Sequence, residues 1–592
     1  MRTAFASIGR VVPRAILFVS LPLSAAAQDL VPAGSINAAS GGPKRIVITQ
    51  DDPAIRRHAE AMHQRFFKNA EFIDDKQAIG RPLAGADLIV YGTPEHAWLF
   101  RLRDRLPFRY EDGSVVLEGR RFTGTHLRVI CAIRHPDDAQ RRALLYTAAR
   151  AEDIAGINAI FHGPTEWVIA DGPRILAAGS FVGGPLSKEQ LLGDLEELAA
   201  KIKRVHPATI EAMPAELQAS LDKARRALTG PMRRDEFWLV LSRAVHALHD
   251  AHSCIQPLLS AQTLHLPFVW IDDGMIVRAD AGPLRKGDKI VRLGTQTEIQ
   301  LLKWLREVVP AENDHWVRYR GESLLRDLDF LRTTKLAAGA PVAVTVERDG
   351  KEMELRVSSA QPNPVPGSRP WVRFEIDEEN ALGVFILDQC INNELYQKTL
   401  RHFFDTVREK RITRIAVDVR GNGGGDSTVV NEFLRYVDVP SYKMPGSVIR
   451  WSEEARALQT GLGKDAFAVT RRAPQEVPNR RVGDPFRGQL FVLTSKATFS
   501  SGNWFALLVQ DNQLGKVLGE PTGNAPSCYG DILRFRLTHS GLSFTLSFKK
   551  WQRPDPTRDP ADCVTPDQII PMTRRDVIED HDPVLAHLRK GR

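Results

Sequence analysis

The chain has 592 residues, 43% hydrophobic and 26% charged, with a formal net charge of +8 at pH 7. That length exceeds one hydrophobic core and implies roughly three or four folded units. The basic residues are scattered, so the mild excess offers no nucleic-acid surface, and beyond the N-terminus no apolar run approaches the ~20 residues needed to span a bilayer.

Residues 1–27 read as a signal peptide: Arg2, Arg10 and Arg14 lead into the apolar Ala15–Leu23, and Ala25, Ala26 and Ala27 supply small residues for cleavage. Export to the periplasm or the extracellular space is therefore expected, as a mature protein without a membrane span. Five cysteines in an oxidising compartment leave at least one unpaired in a monomer, and Cys528 with Cys563 is the candidate bridge. No CxxC pattern or metal-finger spacing is present.

From 44 to 181, apolar strand-like runs (46–49, 87–91, 127–133, 167–170) alternate with amphipathic stretches (55–67, 96–105), predicting an α/β layer domain of unknown role with no nucleotide fingerprint. Residues 186–262 read as a helical domain opened by the capping box Ser187 to Gln190, with Leu191, Leu195, Leu198 and Ile202 on its buried face. From 264 to 360, β-type segments return around a helical 298–308, closing in a hairpin with Asp349-Gly350 at the turn. GPLRKGDKIVRLG (282–294) resembles part of a PDZ-like module, which implies capture of an extended peptide, although the 309–338 stretch is longer than such a module usually carries. A Pro-rich linker at 361–370 precedes the last unit, 371–592.

That unit holds the most informative stretch, RIAVDVRGNGGGDSTVV (414–430), where an apolar strand runs into four glycines within five residues. Bare backbone followed by a helix N-terminus suits either an oxyanion or a phosphate. A nucleotide loop would need a Lys-Ser/Thr pair after its glycines, and Asp426 follows Gly425 instead. Further on, a buried strand turns at 495–499 and enters a helix with Ser500 and Ser501 at its start, where a serine serves as cap or as nucleophile. His246, His249 and His252 are spaced i, i+3, i+6, but no carboxylate cluster accompanies them in sequence, so no metal is expected, and no cofactor either.

Taken in order, D-x-H-S at 250–253, D-x-R-G-N-G-G-G at 418–425, T-F-S-S-G-N at 498–503, T-P-D-Q-I-I-P at 565–571 and H-D-P-V-L at 581–585 resemble the family of C-terminal processing and tricorn-like serine peptidases, also called tail-specific proteases. The resemblance covers 186–592 and implies a crotonase-like or Clp-protease-like α/β catalytic core, within an α/β multidomain chain bearing helical and PDZ-like units in front. Processing members pair the serine with a downstream lysine, yet no lysine lies between Lys516 and Lys549. The tricorn-type branch uses a histidine, which His252 matches.

The resemblance implies Ser500 as nucleophile, His252 as general base, and an oxyanion hole from the Ser501 amide with Gly425 or Gly424. Relatives orient the histidine with a glutamate shortly before the G-V-x-P-D motif; here RPDPTRDPADCVTPD (553–567) has none, leaving Asp559 and Asp562 as substitutes. Ala251 also replaces the serine that precedes the family's histidine, and Asn503 the glutamate that follows its serine motif. The expectation is an exported serine peptidase acting on a peptide or protein substrate. Its rivals are a catalytically silent peptide-binding protein and an esterase or amidase using the same serine.

Overall fold

A computed structural model describes residues 30–37, 43–48, 52–80, 82–160, 165–181, 183–258, 263–360, 370–457 and 469–590. The expected signal peptide and residues 361–369 of the linker lie outside the described residues.

The N-terminal sheet has seven strands in the order Arg174–Gly179, Trp167–Asp171, Leu127–His135, Asp138–Ala148, Asp87–Gly92, Lys44–Ile48, Glu71–Ile73. It is mixed, since Lys44–Ile48 pairs parallel with both neighbours while Leu127–His135 is antiparallel to both of its own. Both faces are covered: Val47, Leu88 and Val90 enter one core, and Ile46, Ile48, Ile89 and Tyr91 the other. Strands buried on two sides read as unbroken apolar runs, which made them visible in sequence. A three-stranded meander over Phe108–Glu111, Ser114–Leu117 and Arg120–Thr123 was not anticipated. Its turns place Asp112, Gly113, Glu118 and Gly119 at positive φ, the hairpin chemistry that tight loops require.

Helices Lys188–Val205, Ala215–Ala227 and Arg234–His246 follow, and Leu191, Leu195, Leu198 and Ile202 are fully buried. The last helix ends at His246, and His249 has φ 48°, so the three histidines share no helix and His252 sits on the turn beyond it. Residues 263–360 form a mainly antiparallel sheet flanked by Glu298–Val308, Asp314–Leu324 and Leu328–Thr333. Its hairpin, Val342–Arg348 with Lys351–Val357, turns at Asp349-Gly350 as expected. These two spans share one hydrophobic core with strands Tyr529–Arg536 and Ser543–Gln552 of the C-terminal unit.

The C-terminal unit is built on a sheet ordered Val372–Asp377, Leu382–Leu387, Arg414–Asp418, Gln489–Thr494, Lys516–Gly519, Gln568–Ile569, parallel after its first pair. Helices Glu394–Glu409, Thr428–Leu434 and Ser501–Asp511 pack in one core, and Pro583–Lys590 in another on the same sheet. All five cysteines are free thiols and four of them are buried, so the candidate Cys528–Cys563 bridge is not formed: Cys528 Sγ is 3.2 Å from Asn524 Nδ2 and Cys563 Sγ is 3.6 Å from Thr565 Oγ1.

Candidate active site

The site forms at the C-terminal ends of the parallel strands Arg414–Asp418 and Gln489–Thr494, where two loops leave the sheet side by side. They are laced together by backbone acceptors. Thr498 Oγ1 donates to the Val419 carbonyl at 2.9 Å, Ser495 Oγ to the Arg420 carbonyl at 2.7 Å, and the Phe499 amide to the Asn422 carbonyl at 2.9 Å. Arg420 is clamped between Asp418 and Asp582, which shapes the start of the glycine loop.

Ser500 lies between strand and helix with φ 53° and ψ −123°, a conformation that L-residues adopt only when their surroundings impose it. Its amide donates to Asn524 Oδ1 at 2.9 Å, and its side chain makes no capping hydrogen bond. The cap alternative therefore fails for Ser500. Ser501 is different, because its hydroxyl donates to the Gly425 carbonyl at 2.7 Å and is a strut rather than a free nucleophile.

The glycines divide their roles. A Cβ on Gly424 would stand 2.6 Å from Ser500 Cβ and 3.1 Å from both Ser500 Oγ and the Ser501 nitrogen, so only a bare backbone lets the loop meet the serine. The Gly424 amide, however, donates to Asn422 Oδ1 at 2.8 Å. Asn422, fully buried and itself anchored to the Leu387 carbonyl, thus engages the N–H of Gly424. Gly425 has φ 135° and crosses Cys390, whose amide and carbonyl bond the flanking Gly424 carbonyl and Asp426 amide and leave the Gly425 N–H outside that pairing. Among the described residues, no hydrogen bond occupies the amides of Gly425 and Ser501.

His252 reaches this corner from the turn after Arg234–His246. Its carbonyl accepts from Thr545 Oγ1 at 2.6 Å, and the next residues, Cys254–Ile255, pair with Ser543–Gln552, so a strand of the C-terminal unit holds the histidine in place. The ring lies 4.5 Å from the Phe499 ring, and Phe499 stacks on Trp316 at 4.0 Å. The imidazole is only 10% exposed, and neither ring nitrogen has a hydrogen-bond partner. Burial pushes its pKa below the ordinary histidine value, against the opposing charge of Asp250, so the neutral form prevails at pH 7.

Asp250 is fully buried and accepts from His206 Nε2 at 3.1 Å, Ser253 Oγ at 2.5 Å and the His252 amide at 2.9 Å. Burial would raise its carboxyl, but the hydrogen bond and charge of His206, with His252 and Ser253, hold it at about 2. Glu312 is the second carboxylate here. It accepts the Ala251 amide at 3.2 Å, and burial followed by the charge of Asp250 pushes it up to about 8. Oxygens of Asp250 and Glu312 and a ring nitrogen of His252 all lie within 4.8 Å of one another.

Neither acid expected from sequence belongs to this cluster. Asp559 accepts from Ser527 Oγ at 2.5 Å and faces Arg553 at 3.8 Å. Asp562 has an exposed side chain and offers its backbone carbonyl to Asn313 Nδ2 at 2.6 Å. Sequence reasoning missed Glu312, Asn422 and Asn524. The only signal for Glu312 was the unusual length of 309–338.

A strained serine at a strand-to-helix turn, a glycine loop against it and a buried histidine beside Phe499 are the parts that a serine hydrolase site requires. Residues 383–570 match the model of peptidase family S41. Similar solved structures include mature CPAF, at 12% identity over 68% of this chain and 96% of that one with a TM-score of 0.50. Mature CPAF complexed with lactacystin matches at 13% identity, over 68% and 97%, also at 0.50. The photosystem II D1 C-terminal processing protease matches at 15%, over 64% and 93%, at 0.35. At these identities the CPAF likeness establishes the fold. No curated protein matches the sequence. Among the described residues no helix is long and apolar enough to cross a membrane.

Proposed function

We propose that the protein is an exported serine peptidase that cleaves peptide bonds through an acyl-enzyme on Ser500. The observation that carries this reading is Ser500 itself: a non-glycine residue at φ 53°, with no capping bond, packed against a loop that must be glycine to admit it. Ser500 Oγ attacks the scissile carbonyl carbon and passes its proton to a ring nitrogen of His252. The carbonyl oxygen becomes an oxyanion that accepts from the Gly425 and Ser501 amides, at the positive end of helix Ser501–Asp511. The C–N bond then breaks as the histidine returns the proton to the leaving amine, and water, deprotonated by the same histidine, releases the acyl group.

A lysine base is the less favoured route because the nearby amines are engaged. Lys496 pairs with Glu322 at 2.6 Å, and Lys549 pairs with Asp531 at 3.2 Å and lies over Trp551. The second reading, a silent peptide-binding protein, draws on the two unbonded ring nitrogens of His252. Apo sites often hold such contacts open until substrate arrives. Labelling of the mature protein with a fluorophosphonate decides between them. The wild type should label, Ser500→Ala should not, and His252→Ala should label at least about 10²-fold more slowly. An unlabelled wild type rejects the enzyme reading, and label that survives Ser500→Ala moves the nucleophile elsewhere. Digestion of a peptide library then separates peptidase from esterase.

A further inference from the structure

We propose that Glu312, carried by the segment between helices Glu298–Val308 and Asp314–Leu324, is the positioning carboxylate of His252, supplied from the 264–360 span rather than from the stretch before the T-P-D motif. The inference rests on the Ser500–His252 reading above. A histidine that takes a proton on one ring nitrogen needs an acceptor for the N–H on the other, or its tautomer is left to chance. Asp250 is close, with Oδ1 3.7 Å from His252 Nδ1, but its oxygens already serve His206, Ser253 and the His252 amide. Glu312 Oε2 is shut away from solvent with no partner, as are both nitrogens of His252. A buried acceptor and a buried donor that both lack partners are costly to leave unpaired, and a carboxylate oxygen of Glu312 and a ring nitrogen of His252 lie within 4.8 Å of one another.

Glu312 is also fixed in place. Its neighbour Asn313 caps the following helix at Trp316 and donates to the Thr522 and Asp562 carbonyls of the C-terminal unit. Trp316 closes the ladder onto Phe499 and His252. The carboxyl thus arrives from one unit, is anchored to a second, and faces a histidine from a third.

The charged and titratable groups around the pair are Asp250, backed by His206, together with Cys528 on the glutamate side and Asp531 on the histidine side. Only ionised Glu312 is an acceptor without a competing proton. With its carboxyl near 8, the working state should fill as pH rises through that value, while His252 protonation limits the rate below the ordinary histidine range.

Two measurements on the full chain test this. In the first, the rate constant of fluorophosphonate labelling is followed from pH 5 to 10. The wild type should show a rise centred near 8; Glu312→Gln should label at least about tenfold more slowly with that rise absent, at unchanged circular dichroism. Wild-type rates in Glu312→Gln, or a slow variant that keeps the rise, overturns the proposal. Abolition of labelling by a chelator, restored by Zn²⁺, would also overturn it by assigning the cluster to a metal. In the second, ¹⁵N-histidine spectra of Ser500→Ala are compared with and without Glu312→Gln. His252 should shift with pH around 8 only when Glu312 is present, and identical spectra overturn the proposal even if the wild type proves unreactive.

Discussion

Gly424→Ala isolates the contact between the glycine loop and the nucleophile. At φ 103° an alanine pays on the order of 1–3 kcal/mol in backbone strain. Its Cβ would also stand 2.6 Å from Ser500 Cβ, against ordinary contact near 3.6 Å, so loop and serine must separate by roughly 1 Å. Neither side yields cheaply, because Ser500 is held by Asn524 and the loop by the Ser501 hydroxyl on Gly425. A displacement of that size moves the Gly425 amide off the oxyanion. Misplacement by 1 Å costs about 10²-fold and loss of one oxyanion donor about 10²–10³-fold, the latter equivalent to about 3–4 kcal/mol of transition-state stabilisation. The assay is the fluorophosphonate labelling rate beside a denaturation curve, with Gly423→Ala as control. A Cβ at Gly423 meets nothing within 4 Å, and that variant should stay within about 0.5 kcal/mol in stability. If Gly424→Ala labels within twofold of wild type, the loop is not the wall against which the serine works, and the oxyanion assignment to Gly425 falls with it.

Glu166→Ala should destabilise the protein by about 3–5 kcal/mol in chemical denaturation, since it strands Arg234, which is 2% exposed and held by both Glu166 oxygens and by the Phe181 and Ser540 carbonyls. A loss under about 1 kcal/mol would show that the N-terminal sheet is not clamped to the turn before Ser543–Gln552, the strand that holds His252. Stability should also carry the signature of the two carboxylates. Glu312, raised to about 8 when folded, binds its proton more tightly in the native state, so its contribution declines as pH climbs from about 4.5 to 8. Asp250, depressed to about 2, stabilises above about 3.8 and loses that contribution as pH falls toward 2. In thermal melts, Glu312→Gln should therefore gain on wild type progressively between pH 4.5 and 8 and match it below; a difference that does not vary with pH would refute the raised carboxyl.

Local chemistry was legible wherever a short stretch acts alone. The doubly covered strands around Val47 and Val417, the Ser187 capping box, the Asp349-Gly350 hairpin and the strand-to-helix turn at Ser500 depend on neighbours a few residues away, and periodicity records such neighbours directly. The T-F-S-S-G-N and G-N-G-G-G runs likewise announced a serine beside bare backbone.

What sequence left open were questions of distance between segments. Ser500 and Ser501 are equivalent as letters; only the Ser501 hydroxyl bonded to the Gly425 carbonyl separates them, across 76 positions. Gly424 and Gly425 are equally bare, and the side chain of Asn422 decides which amide is free. The acid beside His252 was sought among Asp559 and Asp562, because a motif orders residues along the chain, whereas a carboxylate acts through space over a few ångströms. Sequence supplied Ser500, His252 and the glycine loop as the candidates. Only tertiary structure sets Glu312 beside His252, since its burial, the charge of Asp250 and the unmatched ring of His252 exist only once distant segments of the chain have packed together.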